Sequence, residues 1–126
     1  MFAVIQVSVA EYYPEAVMKH IEHITDLALG GQIDAASPKA REIYDGPGRK
    51  LIEINLSDGG VLAKHISHDP ITVLCVSGKG IFRAGASLEE SIAMTPGVLI
   101  TLAAEVEHEV TAEPDIKLLV TKFRPC

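Results

Sequence analysis

Three of the five histidines stand in or beside segments with the alternating pattern of β-strands, and an imidazole can bind a metal or anchor a ligand. Around His108, apolar residues alternate with Glu105, Glu107 and Glu109. Because alternate residues of a strand share a face, His108 is expected to point inward while the glutamates face water. An inward imidazole among valines needs a hydrogen bond, a metal or a ligand as its partner.

The segment 61–67 alternates less clearly. Lys64 favours an inward His65 on the opposite face, although the apolar residues on the Lys64 side could equally form the core. His68 precedes Asp69-Pro70, where strand geometry ends, so its direction stays open. If the chain bends there, His65, His68 and His108 could supply the three protein ligands that a catalytic metal usually takes. Imidazole-rich sites suit Zn, Ni, Fe or Cu, and spacing does not choose among these metals.

An apolar wall is predicted next to these histidines. Ile71, Val73 and Cys75 share one face of the next strand and are expected to line a pocket in which His65 and His108 are polar anchors. Cys75 is predicted to be a buried thiol that forms no disulfide, because the other cysteine is the last residue.

Composition limits the classes of function that need to be considered. The chain has 126 residues, 48% of them hydrophobic, which is enough for one domain with a true core. Its net charge of −6 argues against nucleic acid and against an anionic membrane surface as partners. No segment approaches the roughly 20 apolar residues of a membrane helix, and the N-terminus lacks a basic flank. A cytoplasmic protein is the resulting expectation.

The elements that must position these residues fall into two regions. Residues 1–49 are predicted to form a strand at 3–9, a short α-helix at about 14–29 and an irregular polar arm at 32–49. Residues 50–126 carry short strands separated by turns and no helix, which is typical of an antiparallel sandwich or barrel. Turns are expected at 57–60, 77–80 and 113–115, among other places. The sequence therefore predicts an all-β barrel on which the first 49 residues pack.

This combination of strands and histidines resembles the cupin superfamily. Its first motif is Gly, five residues, His-x-His, three or four residues, Glu, six residues and Gly. The corresponding residues are Gly59, His65, Ser67, Ile71 and Gly78.

The second cupin motif is Gly, five residues, Pro-x-Gly, two residues, His, three residues and Asn. Gly97 and His108 stand at the correct spacing, whereas Ala103, Glu105 and Ala112 replace the Pro, the second Gly and the Asn. The resemblance extends over about residues 50–123.

The resemblance implies a double-stranded β-helix (a jelly-roll barrel), often a homodimer, with a metal in the barrel mouth on three histidines and a carboxylate. Ser67 and Ile71 replace one histidine and the glutamate, so the metal site is expected to be degenerate. The first hypothesis is a small-molecule-binding cupin. Its predicted ligand-binding residues are those already introduced: His65, Ser67, Ile71, Val73, Cys75 and His108.

The alternative is a metal-dependent cupin enzyme of dioxygenase, isomerase or lyase type that uses His65, His68 and His108. A third hypothesis concerns assembly: the apolar strand at 3–9 could pair with the sheet edge of another subunit.

Overall fold

The computed structural model describes His20, residues 22–24 and residues 39–125, and this part of the chain is all-β. The strand predicted at 3–9, the helix predicted at about 14–29 and Cys126 lie outside the described residues, apart from His20 and residues 22–24. Seven strands are present in the described part: β1 (Ala40–Gly46), β2 (Arg49–Leu56), β3 (Val61–His65), β4 (Ile71–Ala84), β5 (Glu90–Met94), β6 (Leu99–Leu102) and β7 (His108–Phe123). No helix of these residues is long and apolar enough to cross a bilayer.

The two longest strands, β4 and β7, form a central antiparallel ribbon that different partners flank at its two ends. At one end, β2 pairs with residues 116–123 of β7 and β6 pairs with residues 71–74 of β4. At the other end, β3 pairs with the start of β7 and β5 pairs with residues 80–84 of β4. All of these pairs are antiparallel, as the sequence predicted.

The turns predicted at 77–80 and 113–115 are wrong, because both segments lie inside continuous strands. The β4–β7 register shifts between Cys75 and Ser77 and again between Gly78 and Gly80, and the second shift lies opposite residues 113–115. Gly78 has a φ of +77°, and a Cβ there would overlap the carbonyl oxygen of Asp115. The glycines therefore allow a bulge that bends the β4–β7 ribbon. The bulge lies between the part of the ribbon that pairs with β2 and β6 and the part that pairs with β3 and β5.

A second correction concerns residues 40–46, which were predicted to be irregular. They form β1, whose backbone pairs with β2 from Ala40 to Gly46. Among the described strands β1 lies at one end of the order, and strands at a sheet edge accept polar and charged side chains. The proposed division of the chain at residue 49 stays a prediction, although β1 belongs to the same sheet as β2.

The core lies between the inward faces of the strands. The buried apolar side chains are Ile54, Leu56, Ile71, Val73, Cys75, Phe82, Ala84, Met94, Val110, Ala112, Ile116 and Leu118. The predicted burial of Cys75 is confirmed, and burial raises the pKa of its thiol. Ile71 and Val73 share its face, as the alternation predicted.

Candidate functional site

Two of the predicted histidines meet at one end of the barrel. The antiparallel register of β3 and β7 places His65 opposite His108. Their ring centroids are 4.2 Å apart and their planes are inclined by 57°. His108 is 3% exposed, which confirms its inward direction, whereas His65 is exposed. We call these two side chains the imidazole pair.

Each ring of the imidazole pair is fixed in the same way. Nδ1 of His65 lies 2.8 Å from the carbonyl oxygen of Ala63, and Nδ1 of His108 lies 2.9 Å from that of Val106. A carbonyl oxygen only accepts hydrogen bonds, so both Nδ1 atoms carry the proton and donate it. In the neutral rings, each Nε2 is consequently an acceptor that a ligand or a metal can use.

The surroundings of His108 disfavour protonation of its ring. Burial lowers the pKa of His108 below its ordinary value of 6.5, and the nearby His65 and Lys122 act in the same direction against the opposing effect of the Val106 carbonyl. The Phe82 ring lies nearly parallel to the His108 ring, with centroids 5.7 Å apart. Phe82 therefore supports the buried face of the site.

The imidazole pair lines a cavity of about 130 Å³, which we call the chamber. The chamber is mostly apolar, and its lining residues are Ile52, Ile54, Leu62, His65, Val73, Phe82, His108, Val110, Leu118, Val120 and Lys122. A dry protein cavity of about 150 Å³ takes one benzene-sized molecule, so the chamber suits a compact ligand.

Of the three predicted wall residues, only Val73 lines the chamber. Ile71 and Cys75 lie on the same face of β4 but are 3% and 1% exposed, and they are buried in the core on either side of Val73 along the strand. Alternation predicts the face of a residue correctly, but it does not predict where along that face a cavity opens. The prediction that Ile71 and Cys75 line the pocket is therefore not matched by the structure.

The remaining predicted residues lie in the loop after β3, which ends at His65. Ser67 is buried, yet its Oγ donates to the carbonyl of Asp69 at 2.8 Å and accepts from the Asp69 N–H at 3.2 Å. The His68 side chain is 81% exposed, and its Nδ1 lies 2.9 Å from Glu105 Oε2. Neither side chain joins the chamber lining.

The structure therefore does not gather His65, His68 and His108 into one group. Among the described residues, no three or more His, Cys, Asp or Glu side chains are placed to hold a metal ion. The physical reason is that the strand stops before Asp69-Pro70, so the alternation that fixes the direction of His65 ends before His68.

Sequence reasoning missed Lys122 and Phe82 as lining residues. A usable signal existed for Lys122. The inward face of β7 is formed by Ile116, Leu118 and Val120, and two residues further the same alternation reaches Lys122. A lysine that continues a buried apolar face is a candidate for a pocket mouth rather than for open surface.

Comparison with known proteins bears on the fold. No family model matches the chain, and no curated protein matches it by sequence. An RmlC-like cupin protein from Desulfovibrio desulfuricans is similar to it with a TM-score of 0.70 and 18% identity, over 84% of this chain and 100% of that one. A conserved protein of unknown function from Streptococcus pyogenes has a TM-score of 0.69 and 20% identity, over 84% and 92% of the two chains.

A third similar structure is a cupin superfamily protein from Desulfitobacterium hafniense, with a TM-score of 0.62 and 13% identity over 72% of this chain and 83% of that one. These identities are low, whereas the strand arrangement agrees over most of each chain. The chain therefore has the fold of the cupin superfamily, a jelly-roll β-barrel.

Proposed function

We propose that this small cupin domain binds a compact organic molecule in the chamber, with the imidazole pair as its polar anchor. The observation that carries the proposal is the pair itself: two histidines, each fixed through Nδ1 to a backbone carbonyl, at a largely apolar cavity of about 130 Å³. Pockets of this type, apolar with a few convergent polar groups, are typical of small-molecule sites.

The chemistry of the pair indicates which ligand groups fit. With the proton on Nδ1, a neutral imidazole offers an Nε2 lone pair that accepts a hydrogen bond from a hydroxyl or N–H group. The apolar walls formed by residues such as Val73 and Phe82 suit a hydrocarbon body. The ligand of this proposal is therefore mainly apolar and carries a hydrogen-bond donor.

A metal-dependent enzyme is the second candidate, because a backbone-tethered Nδ1 also prepares Nε2 as a metal ligand. The donor set does not fit a site with three protein ligands. Ser67 hydrogen-bonds the backbone of Asp69, Ile71 is apolar, and His68 is paired with Glu105 at the surface. Catalytic metal sites usually have three protein ligands, so the organic ligand is the stronger proposal.

The test uses phenol and cyclohexanol as probes, with methoxybenzene as the comparison that lacks a donor. Calorimetric titration should show saturable binding of at least one alcohol that is about tenfold weaker in His65→Ala and in His108→Ala, since the net contribution of one hydrogen bond is about 1 kcal/mol. His68→Ala is the matched control, because its side chain is exposed and outside the chamber lining. Failure of both alcohols to bind, or equal binding in all three variants, contradicts the proposal.

A second pair of variants tests the chamber itself. Val120→Phe should block binding because Val120 lines the chamber, whereas Leu119→Phe should not, because the next residue of the strand points to the opposite face. Loading with Zn, Ni, Fe or Cu, followed by elemental analysis, should leave less than one metal per chain. A stoichiometric metal that is lost in His108→Ala would favour the enzyme instead. The expected homodimer and the cytoplasmic location stay predictions.

A further inference from the structure

Lys122 is a charged side chain at the chamber for which the proposed function gives no role. It is half-buried and lies near the end of β7, on the face that Leu118 and Val120 present to the chamber. Its charge is felt at the imidazole pair, because it acts to lower the pKa of His108. Lys122 therefore belongs to the electrostatics of the chamber.

No carboxylate balances this charge within the described part of the chain. Lys50 pairs with Glu42 at 3.1 Å and Lys64 pairs with Glu107 at 3.0 Å, whereas no described carboxylate lies within 4.0 Å of the Lys122 ammonium. The described residues that line the chamber include no Asp or Glu. An unbalanced cation beside an apolar cavity attracts an anion more strongly than a cation in open water does.

The polar groups that line the chamber are of two kinds, hydrogen-bond acceptors and hydrogen-bond donors. The imidazole pair offers lone pairs, which repel an anion and attract a donor, whereas the Lys122 ammonium offers donors only. A ligand that satisfies both must present a donor to the pair and an anionic group to Lys122. One ammonium suits a monoanionic carboxylate better than a phosphate dianion, which usually requires several donors.

We propose that the ligand is a small hydroxylated carboxylic acid, bound with its hydrocarbon body in the chamber, its hydroxyl at the imidazole pair and its carboxylate at Lys122. This proposal rests on the proposed function, since it assumes that the chamber binds a ligand. The probes are the three isomeric hydroxybenzoates and their matched hydroxybenzamides, which keep the hydroxyl and the ring but lose the negative charge.

At low ionic strength, the best hydroxybenzoate should bind about tenfold more tightly than its amide, because only the carboxylate carries a negative charge that the Lys122 ammonium attracts. Lys122→Met should abolish this preference, because it weakens binding of the hydroxybenzoate much more than binding of the amide, and Lys122→Arg should retain it. Lys79→Met is the control, since Lys79 is exposed and outside the chamber lining. Added salt should reduce the preference in the wild-type chain.

The possible failures separate the two proposals. The proposal of a carboxylic acid ligand is overturned by equal binding of acid and amide in the wild-type chain, or by a preference that survives in Lys122→Met. Neither result affects the proposed function. Binding of phenol or cyclohexanol without binding of any hydroxybenzoate also overturns only the proposal of a carboxylic acid ligand. Failure of every probe overturns both proposals. Thermal unfolding of each variant checks that the comparison is made between folded proteins.

Discussion

On one side of the chamber mouth, His65 and His108 stand opposite each other in hydrogen-bonded strands, whereas the nearby Ser67 and His68 follow β3 in a loop. The strand side brings its two imidazoles together, with ring centroids 4.2 Å apart. The loop side satisfies its polar groups locally or at the surface, through Asp69 and Glu105. The difference shows that spacing in the sequence predicts which way a side chain points only where backbone hydrogen bonds hold the residue in a paired strand.

The difference has an energetic side. Under the imidazole pair lies Phe82, a core residue that is 3% exposed and nearly parallel to His108. Under the loop lies a short network in which the Ser67 hydroxyl bonds the backbone of Asp69. Packing of an aromatic ring in a core contributes more to stability than a local hydrogen bond does.

The largest effect on stability is expected from removing the Phe82 ring, which packs against His108. Phe82→Ala should lower the free energy of unfolding by about 3–5 kcal/mol, because it deletes a buried ring and leaves a cavity. Urea denaturation monitored by circular dichroism measures this change. The matched change on the loop side, Ser67→Ala, should cost only about 1 kcal/mol, the net contribution of a typical hydrogen bond. Equal losses in the two variants would remove the energetic difference between the two sides.

A smaller effect is expected from pH. The pKa of His108 is lowered in the folded protein, chiefly by burial. Protonation is therefore easier in the unfolded chain, with its pKa near 6.5, so the stability contributed by neutral His108 is present above that pH and is lost as the pH falls through the folded-state pKa. Melting temperatures measured from pH 7.5 to pH 5 should fall more steeply for the wild-type chain than for His108→Gln.

His68→Gln provides the matched control on the loop side for the pH experiment. His68 is exposed, so its replacement should leave the wild-type pH profile nearly unchanged. The interpretation would be contradicted if His108→Gln lost as much stability toward low pH as the wild-type chain, or if His68→Gln flattened the profile.

Strand alternation made much of the fold and part of the site predictable. It placed His108 inward among valines and buried Ile71, Val73 and Cys75 on one face, and the structure agrees. The turn predicted at 77–80 was wrong, because Gly78 and Gly80 belong to a bulge in a continuous strand, and glycines are common in both turns and bulges. The sequence around a glycine does not say which of the two occurs, because the choice depends on the strand that pairs with it.

The rest of the site depends on long-range geometry. Whether Ser67 and His68 reach the chamber depends on the path of a loop that local hydrogen bonds determine. The place where the core leaves space for the chamber, at Val73 but not at Ile71 or Cys75, depends on side chains from several strands. Lys122 was predictable in direction from its strand, but its closeness to His108 follows from the folded barrel.

The most direct test of the imidazole pair is the proton position on its two rings. Long-range nitrogen–proton NMR spectra of the chain labelled with ¹⁵N-histidine, recorded at pH 7.5 and assigned with His65→Ala and His108→Ala, distinguish Nδ1–H from Nε2–H. We predict that Nδ1 of each ring carries a proton and that neither Nε2 does, as the bonds to the carbonyls of Ala63 and Val106 favour. A proton on Nε2 of either ring would contradict the account, because the chamber would then lack the two acceptors on which ligand binding depends.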